Sequence, residues 1–438
     1  MNKFIKTIKD IFSIEELRNR ILYTFGFLLV FRLGCFILLP GVDSEQLVDS
    51  QGVFGFLNNI LGGAFNRASI FALGIMPYIS ASIVIQLLTV AVPYFQKKQK
   101  EGESGRKKIT QITRVLTIII TLAQGGTYVS AYIPAEAIMP YMVESGIFIP
   151  LSVVILTTGT MFCMWLGEKI TDRGVGNGIS MLIMIGIISS FPQAIIAEIG
   201  ASGPLIFLIE AIALFFIVMA VVLLTQAVRR IPIQYAKQVV GGGRSQVGKS
   251  QRSYLPLKVN SANVMPIIFA QSLMFAPALI AGAFSERSDF AIYIQSVFSD
   301  FTSWEYNLTF AILIIVFTFF YTAITINPNQ MKDDLKRSGA FIPGIKPGQP
   351  TADYISIILD RITLPGALYL ALVAILPAFA SMAGVQQSFA QFYGGTSLII
   401  MVGVILDTLQ QINSYLLMRQ YDGLMKSGKL RDRSQVVA

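Results

Sequence analysis

VFGFLNNILGGAF, residues 53–65, and IFALGIMPYISASIVIQLLTVAVP, residues 70–93, decide the fold. The second stretch carries no charge and as a helix would extend roughly 36 Å, enough to cross a hydrocarbon core of about 30 Å. The first is too short to span, and Asn58, Asn59, Gly62 and Gly63 make it a poor lipid-facing helix. Half-length or non-helical apolar backbone survives at membrane depth only where protein or a water-filled cavity surrounds it. The pattern predicts a short helix folded back into a helical bundle, beside a spanning helix that Pro77 can bend. A loop helix lying at the interface is the alternative these residues leave open.

The rest of the chain also reads as membrane protein. Of 438 residues, 54% are hydrophobic and 13% charged, and the mean hydropathy is +0.63, far from an average soluble domain. The absence of histidine excludes His-based general base chemistry and most zinc sites. Cys35 and Cys163 fall inside apolar runs and read as buried small hydrophobes rather than a disulfide or metal pair.

Residues 1–20 place Phe4, Ile5, Ile8, Ile11 and Phe12 on one helical face with lysines opposite, as in an amphipathic helix lying on the membrane. No small-residue cleavage site precedes the first spanning run. Apolar runs then recur at about 22–39, 70–93, 112–133, 146–166, 178–198, 205–228, 264–284, 307–326, 362–383 and 396–417, ten spans in all. With the N-terminus inside, the outer segments hold only Arg67 and Arg287, and Arg32 sits within the first span. Every other Lys and Arg of the 34 falls on or near the inner side, a strong positive-inside bias. The net charge of +9 is thus a topology signal and an inner docking surface, with no separate support for DNA binding.

Two inner segments are long for a simple transporter, Arg229 to about Asn263 and Asn327 to about Arg361. Both mix basic residues with Gly and Pro. A solvated basic loop is the plain reading; their length and their pairing across the chain point to docking of a large partner.

Two glycine-rich matches lack the context their mechanisms need. Gly243 to Ser250 satisfies the phosphate-loop pattern G-x-x-x-x-G-K-[ST], but that mechanism needs a buried strand before it and a helix after it, and Pro256 breaks any following helix within two turns. Gly174-Val-Gly-Asn-Gly178 lacks dinucleotide-fingerprint spacing and reads as a tight turn into the fifth span. Ionisable groups within spans are functional candidates, here Arg32, Glu210 and Asp407. Glu210 lies near its span's outer end and reaches towards water; Arg32 and Asp407 lie deeper, where pairing or bonding to carbonyls is open. A secondary carrier needs convergent polar groups at the midplane, and an intramembrane protease needs a carboxylate dyad or paired nucleophile. The sequence offers neither.

The segments GGAFNRASIFALGIMPYISASIVIQLL (62–88), EGESGRKKITQ (101–111), GTMFCMWLGEKITDRGVGNGISMLI (159–183), YLPLKVN (254–260), NPNQMKDDLKRSGAFIPGIKPG (327–348) and FYGGTSLIIMVGVILD (392–407) resemble the bacterial SecY family over essentially the whole chain. These are the pore subunits of the Sec protein-conducting channel. The resemblance implies an all-α polytopic fold of ten transmembrane helices in two inverted pseudo-symmetric halves around a central pore. The halves would be residues 21–200 and 201–417, after the cytosolic helix 1–20 and before a cytosolic tail, 418–438. The resemblance assigns to a re-entrant plug, its helix at about 55–65, the residues Gly55, Phe56, Leu57, Asn58, Asn59, Ile60, Leu61, Gly62, Gly63, Ala64, Phe65 and Arg67.

The resemblance also assigns a pore ring to Ile75, Ile79, Ile183, Ile268 and Ile400. It places a lateral gate between the second and seventh spans, with Ser82, Gln86 and Phe269. Arg229, Arg230, Arg244, Lys249, Arg252, Lys258, Lys336, Arg337 and Lys346 would form the cytosolic docking surface. Lys346 stands where the family usually has arginine in P-G-I-R-P-G; lysine keeps the charge but loses the planar fork. Implied partners are the small membrane subunits SecE and SecG, the motor ATPase SecA, the ribosome through its rRNA and proteins, signal peptides, nascent polypeptides and membrane lipids. No catalytic residue, metal or cofactor is implied. The implied location is the bacterial cytoplasmic membrane, with both termini inside.

Overall fold

The computed structural model describes residues 12–43, 46–47, 58, 61–235, 253–262, 264–271, 273–274, 293, 296–298, 300 and 302–426. The apolar run after Leu17 lies in helix α1 (Glu15–Gly34). Residues 15–20, expected in the interfacial helix, are its first turns; residues 1–11 lie outside the described residues.

The second spanning helix is shorter than residues 70–93. Pro77 has no N–H, so a helix begun at Ile70 would leave the Leu73 carbonyl without its donor and press the proline ring against it. Helix α2 instead runs Met76–Ala91 with Pro77 in its first turn, where that donor is not needed. Pro77 therefore starts this helix and does not bend it. Sixteen residues span about 24 Å. The chain then turns by 101° into α3 (Pro93–Lys100), where Pro93 again opens a helix.

Helices α4 (Glu103–Tyr132), α5 (Pro140–Ser145), α6 (Phe148–Arg173), α7 (Gly178–Ser202) and α8 (Pro204–Gln226) follow. After them come strands β1 (Val228–Tyr235) and β2 (Ser253–Lys258), then α9 (Trp304–Thr325), α10 (Pro328–Arg337) and β3 (Ala340–Phe341). The chain closes on α11 (Gln349–Met382), α12 (Gln387–Ala390) and α13 (Gly395–Lys426). Among the described residues α4, α6, α7, α8, α9, α11 and α13 are long and apolar enough to cross a membrane, and the bent pair α2–α3 makes an eighth. Helix α1 stands at the first expected span. Most of the seventh, 264–284, lies outside the described residues, although 265–271 are helical. The chain is thus a mostly helical polytopic membrane protein whose helices fit the expected ten spans.

Two compact units divide it: residues 1–194 with 400–438, and residues 195–399. In the first, α1, α2 and α4 gather with α6 around residues 61–75. Phe71 stacks between Phe31 of α1 and Phe162 of α6, each at 5.9 Å. Arg114 of α4 makes a forked ion pair with Glu168 of α6 at 2.7 and 2.9 Å. The Gly174–Gly178 turn joins α6 to α7 as expected; Thr24 Oγ1 accepts from Val175 N at 3.0 Å and Gln411 Oε1 accepts from Gly176 N at 2.8 Å.

In the second unit the two long inner segments are not simple loops. They join in one antiparallel sheet, β2-β1-β3, with Arg229 opposite Leu257 and Gln234 opposite Phe341. Alternation drives it: Ile231, Ile233 and Leu257 face inward while Arg230 and Lys258 lie on the other face, in water; Arg229, opposite Leu257 near the strand's start, is exposed. The inward face packs on Leu335, Ala340, Ile342, Ile355 and Leu359, a separate small core built on α10 and the first turns of α11. Asn327 caps α10 by accepting from the backbone N–H groups of Asn329 and Gln330, and Pro328 sits in its first turn. With 34 residues, α11 extends about 51 Å, some 20 Å beyond a hydrocarbon core, and that excess carries the sheet.

Replacing the fully buried Ile355 by alanine should destabilise this inner core by about 2–5 kcal/mol. Limited proteolysis should then cut between β1 and β3 faster, while the membrane-protected fragments stay unchanged.

Candidate functional site

Residues 61–75 are a run of turns rather than a helix, and they lie inside the first unit. Leu61, Ala64, Phe65, Ala68, Ser69, Phe71 and Ala72 are buried. Non-helical backbone in such surroundings must find partners for its polar groups, and here it does. The connection after α1 pairs with it: Leu39 N donates to Ala68 O and Ile70 N to Ile37 O, both at 2.9 Å. Within the run, Ala72 N donates to Ser69 O at 2.9 Å and Gly74 N to Phe71 O at 2.8 Å, while Ser69 Oγ accepts from Phe71 N at 3.2 Å.

Two side chains from spanning helices secure the segment that the resemblance assigns to the plug. Arg32 Nη1 of α1 donates to the Gly62 carbonyl at 2.6 Å. The Tyr128 hydroxyl of α4 donates to the Phe65 carbonyl at 2.7 Å, and Phe65 meets the rings of Tyr128 and Tyr132 edge-on at 4.9 Å. Asn58 closes the turn, its carbonyl accepting from Gly63 N at 2.8 Å and its Oδ1 from Asn66 N at 2.9 Å. Gly62 has φ +63, and a Cβ there would lie 2.5 Å from Ser189 Oγ and 2.6 Å from Arg32 Nη1. Only glycine allows both the conformation and the approach to α7. Arg32 and Arg67 both lie over the Phe36 ring, at 4.8 and 4.5 Å, which eases the burial of two cations. Of the two possibilities for Arg32, the carbonyl is the one realised; it makes no ion pair with Asp407. Gly55, Phe56, Leu57, Asn59 and Ile60 lie outside the described residues.

Ile75, Ile79, Ile183 and Ile400 are all buried in the first unit. Ile75 immediately precedes α2 and its carbonyl accepts from Ile79 N at 3.1 Å, so the two share a helix face. Ile268 is half-buried and belongs to the second unit. Of the gate residues, Gln86 Nε2 donates to Ser82 Oγ one turn earlier on α2 at 3.3 Å, so each satisfies part of the other's need. Phe269 lies in the second unit, buried edge-on against Phe317 and Tyr321 of α9 at 5.9 Å each.

Arg229, Arg230, Lys258, Lys336, Arg337 and Lys346 are exposed on the sheet, on the end of α10 and on the turn before α11. None of them forms an ion pair among the described residues. The Lys346 carbonyl accepts from Thr351 Oγ1 at 2.9 Å, which fixes the turn while its ammonium stays in water. Arg244, Lys249 and Arg252 lie outside the described residues, as does the phosphate-loop match. Strand β2 follows that match closely, where the phosphate-binding mechanism would need a helix.

Tyr128 and Ser69 had no sequence signal as holders of the turn, since their partners are set by folding. The sheet had a partial one: R-I-P-I-Q and L-P-L-K set their isoleucines and leucines two apart, as one face of a strand would.

The SecY family model matches residues 69–409. The protein translocase subunit SecY of Streptomyces scabiei is 44% identical over 437 residues, covering 95% of this chain and 98% of its own. Among solved structures, one described as a protein conducting channel has a TM-score of 0.62 at 16% identity, covering 91% of this chain and 92% of its own. Sec61 in the canine ribosome-channel complex from the endoplasmic reticulum has a TM-score of 0.58 at 15% identity, over 91% of this chain and 92% of its own.

An Arg32→Met substitution keeps the stem packed and removes the donor to the Gly62 carbonyl. The unpaired carbonyl should cost about 1–3 kcal/mol, read as faster amide exchange at residues 63–74 with the α4 and α6 amides unaffected.

Proposed function

The chain belongs to the SecY family, and on that premise we propose a protein-conducting channel of the bacterial cytoplasmic membrane. It passes unfolded secretory polypeptides across the bilayer and releases transmembrane segments sideways into lipid. The observation that carries this reading is the turn at residues 61–65, the described end of the plug. It is apolar backbone held inside a helical unit by side-chain donors from Arg32 and Tyr128, as suits a displaceable stopper. A span committed to its own helical ladder could not leave its place at comparable cost.

In this reading spans 1–5 and 6–10 form inverted halves around the pore. Ile75, Ile79, Ile183, Ile268 and Ile400 close it as an apolar ring. Such a ring excludes water, deforms around any side chain, and offers no polar site to trap the passing polypeptide. Residues 55–65 form the plug on its outer side, with Arg67 close by. The lateral gate lies between α2 and residues 264–284, with Ser82, Gln86 and Phe269 on its two sides. About 20 apolar residues suffice for a segment reaching that opening to favour lipid.

The basic surface on the β2-β1-β3 sheet faces the cytosol, with both termini on that side by the placement of Lys and Arg. It receives the ribosome, through rRNA phosphates, or the acidic face of SecA. Arg244, Lys249 and Arg252 extend that surface. SecE and SecG complete the channel within the membrane. The energy for movement comes from SecA or from synthesis on the ribosome.

Substituting Ile79, Ile183 and Ile268 together by serine hydrates the ring and cuts no hydrogen-bond network. Reconstituted vesicles should then leak ions, and more so when residues 55–65 are also deleted. Tight vesicles from the combined variant would refute the pore assignment.

Lys346→Glu reverses a charge on an exposed turn and disturbs no core packing. Binding to SecA or to ribosomes should weaken about tenfold, mostly through association rate, with the helical bundle intact. Normal binding and secretion would remove this turn from the docking surface.

A further inference from the structure

Two cations of the first unit stand together without a counter-charge. Arg32 of α1 gives its Nη1 to the Gly62 carbonyl, and Arg67 lies within the run of turns that follows. Both guanidinium groups rest on the Phe36 ring, at 4.8 and 4.5 Å. Neither arginine forms an ion pair among the described residues. Arg67 Nη1 is buried with no hydrogen-bond partner, while the side chain as a whole stays partly exposed. That cation has lost part of its hydration and gained no acceptor in exchange. A ring face attracts a cation but offers no oxygen to its N–H groups. What the pair lacks is an anion with several oxygens, which two planar forks can share.

The surroundings select the anion. Leu22, Phe25, Leu29 and Leu33 recur at helical spacing along one face of α1, and each is more than half exposed. Phe36 is also more than half exposed and continues the stripe, through a turn in which its N–H donates to the Leu33 carbonyl at 3.1 Å. The 20 residues of α1 extend about 30 Å, the thickness of the hydrocarbon core. The Phe36 turn therefore meets the membrane at headgroup level. An apolar stripe long enough for an acyl chain ends on two cations that nothing neutralises. Inorganic phosphate would use the cations alone, whereas an amphiphile uses both. Two positive charges also favour a headgroup that brings no ammonium of its own.

We propose that Arg32 and Arg67, gathered on the Phe36 ring, bind the phosphodiester of an acidic phospholipid whose acyl chain lies along the exposed stripe of α1. The headgroup takes N–H groups that the two arginines leave unused, and Arg32 keeps its Nη1 on the Gly62 carbonyl. Because one guanidinium then serves both the lipid and the turn, binding stabilises the turn by linkage. The site requires the membrane fold and not conduction, so it can fail with the proposed channel intact.

The test places the full chain, as purified from membranes, in nanodiscs of phosphatidylcholine with or without phosphatidylglycerol. Amide exchange at residues 63–74 should be about tenfold slower with phosphatidylglycerol, the effect of one charge-assisted hydrogen bond. Arg67→Gln should exchange alike in both. Native mass spectrometry should find one phosphatidylglycerol more on wild type than on R67Q, and no such difference for phosphatidylcholine. Equal retention by the two proteins overturns the proposal. So does equal protection by inorganic phosphate added to phosphatidylcholine discs, which would mark a site for a free anion. If R67Q fails to fold, wild type decides alone: exchange at residues 63–74 that ignores the headgroup overturns the site.

Discussion

A bilayer offers the backbone no water, so every peptide group at depth needs a partner within the protein. Helices meet that demand from their own residues, but residues 61–75 cannot. Their donors and acceptors go instead to Ile37 and Leu39 after α1, to Arg32, to Tyr128 and to turns within the run. The placing of α1, α4 and α6 around this stretch follows from the same demand. So does Gly62, which must bring its carbonyl to Arg32 at a positive φ with α7 close behind it.

The inner face obeys a different constraint. Its basic residues are exposed and yet held in a fixed array. The sheet β2-β1-β3 does this by turning Ile231, Ile233 and Leu257 down onto Ile355 and Leu359 while Arg230 and Lys258 point outward and Arg229 is exposed near the strand's start. Because α11 is longer than the bilayer is thick, the same helix serves as a membrane span and as the floor of this small core. Charge and rigidity therefore come from two sequence-distant segments that neither could supply alone.

Amino-acid order by itself determined a polytopic helical membrane protein, most of its apolar helices and its family. Those properties depend on composition, length and charge placement along one dimension. It also marked residues 53–65 as too short and too polar to face lipid, and Arg32 as a buried cation in search of a partner. Only the tertiary structure decided that Pro77 begins a helix rather than bending one, and that the Gly62 carbonyl, not Asp407, takes the Arg32 charge. The same holds for Tyr128 on Phe65, for the sheet built from two distant segments, and for the Gln386 amide on Glu198. Each is a partnership between groups whose nearness is set by packing, and a chain read in order carries the need for a partner without its address.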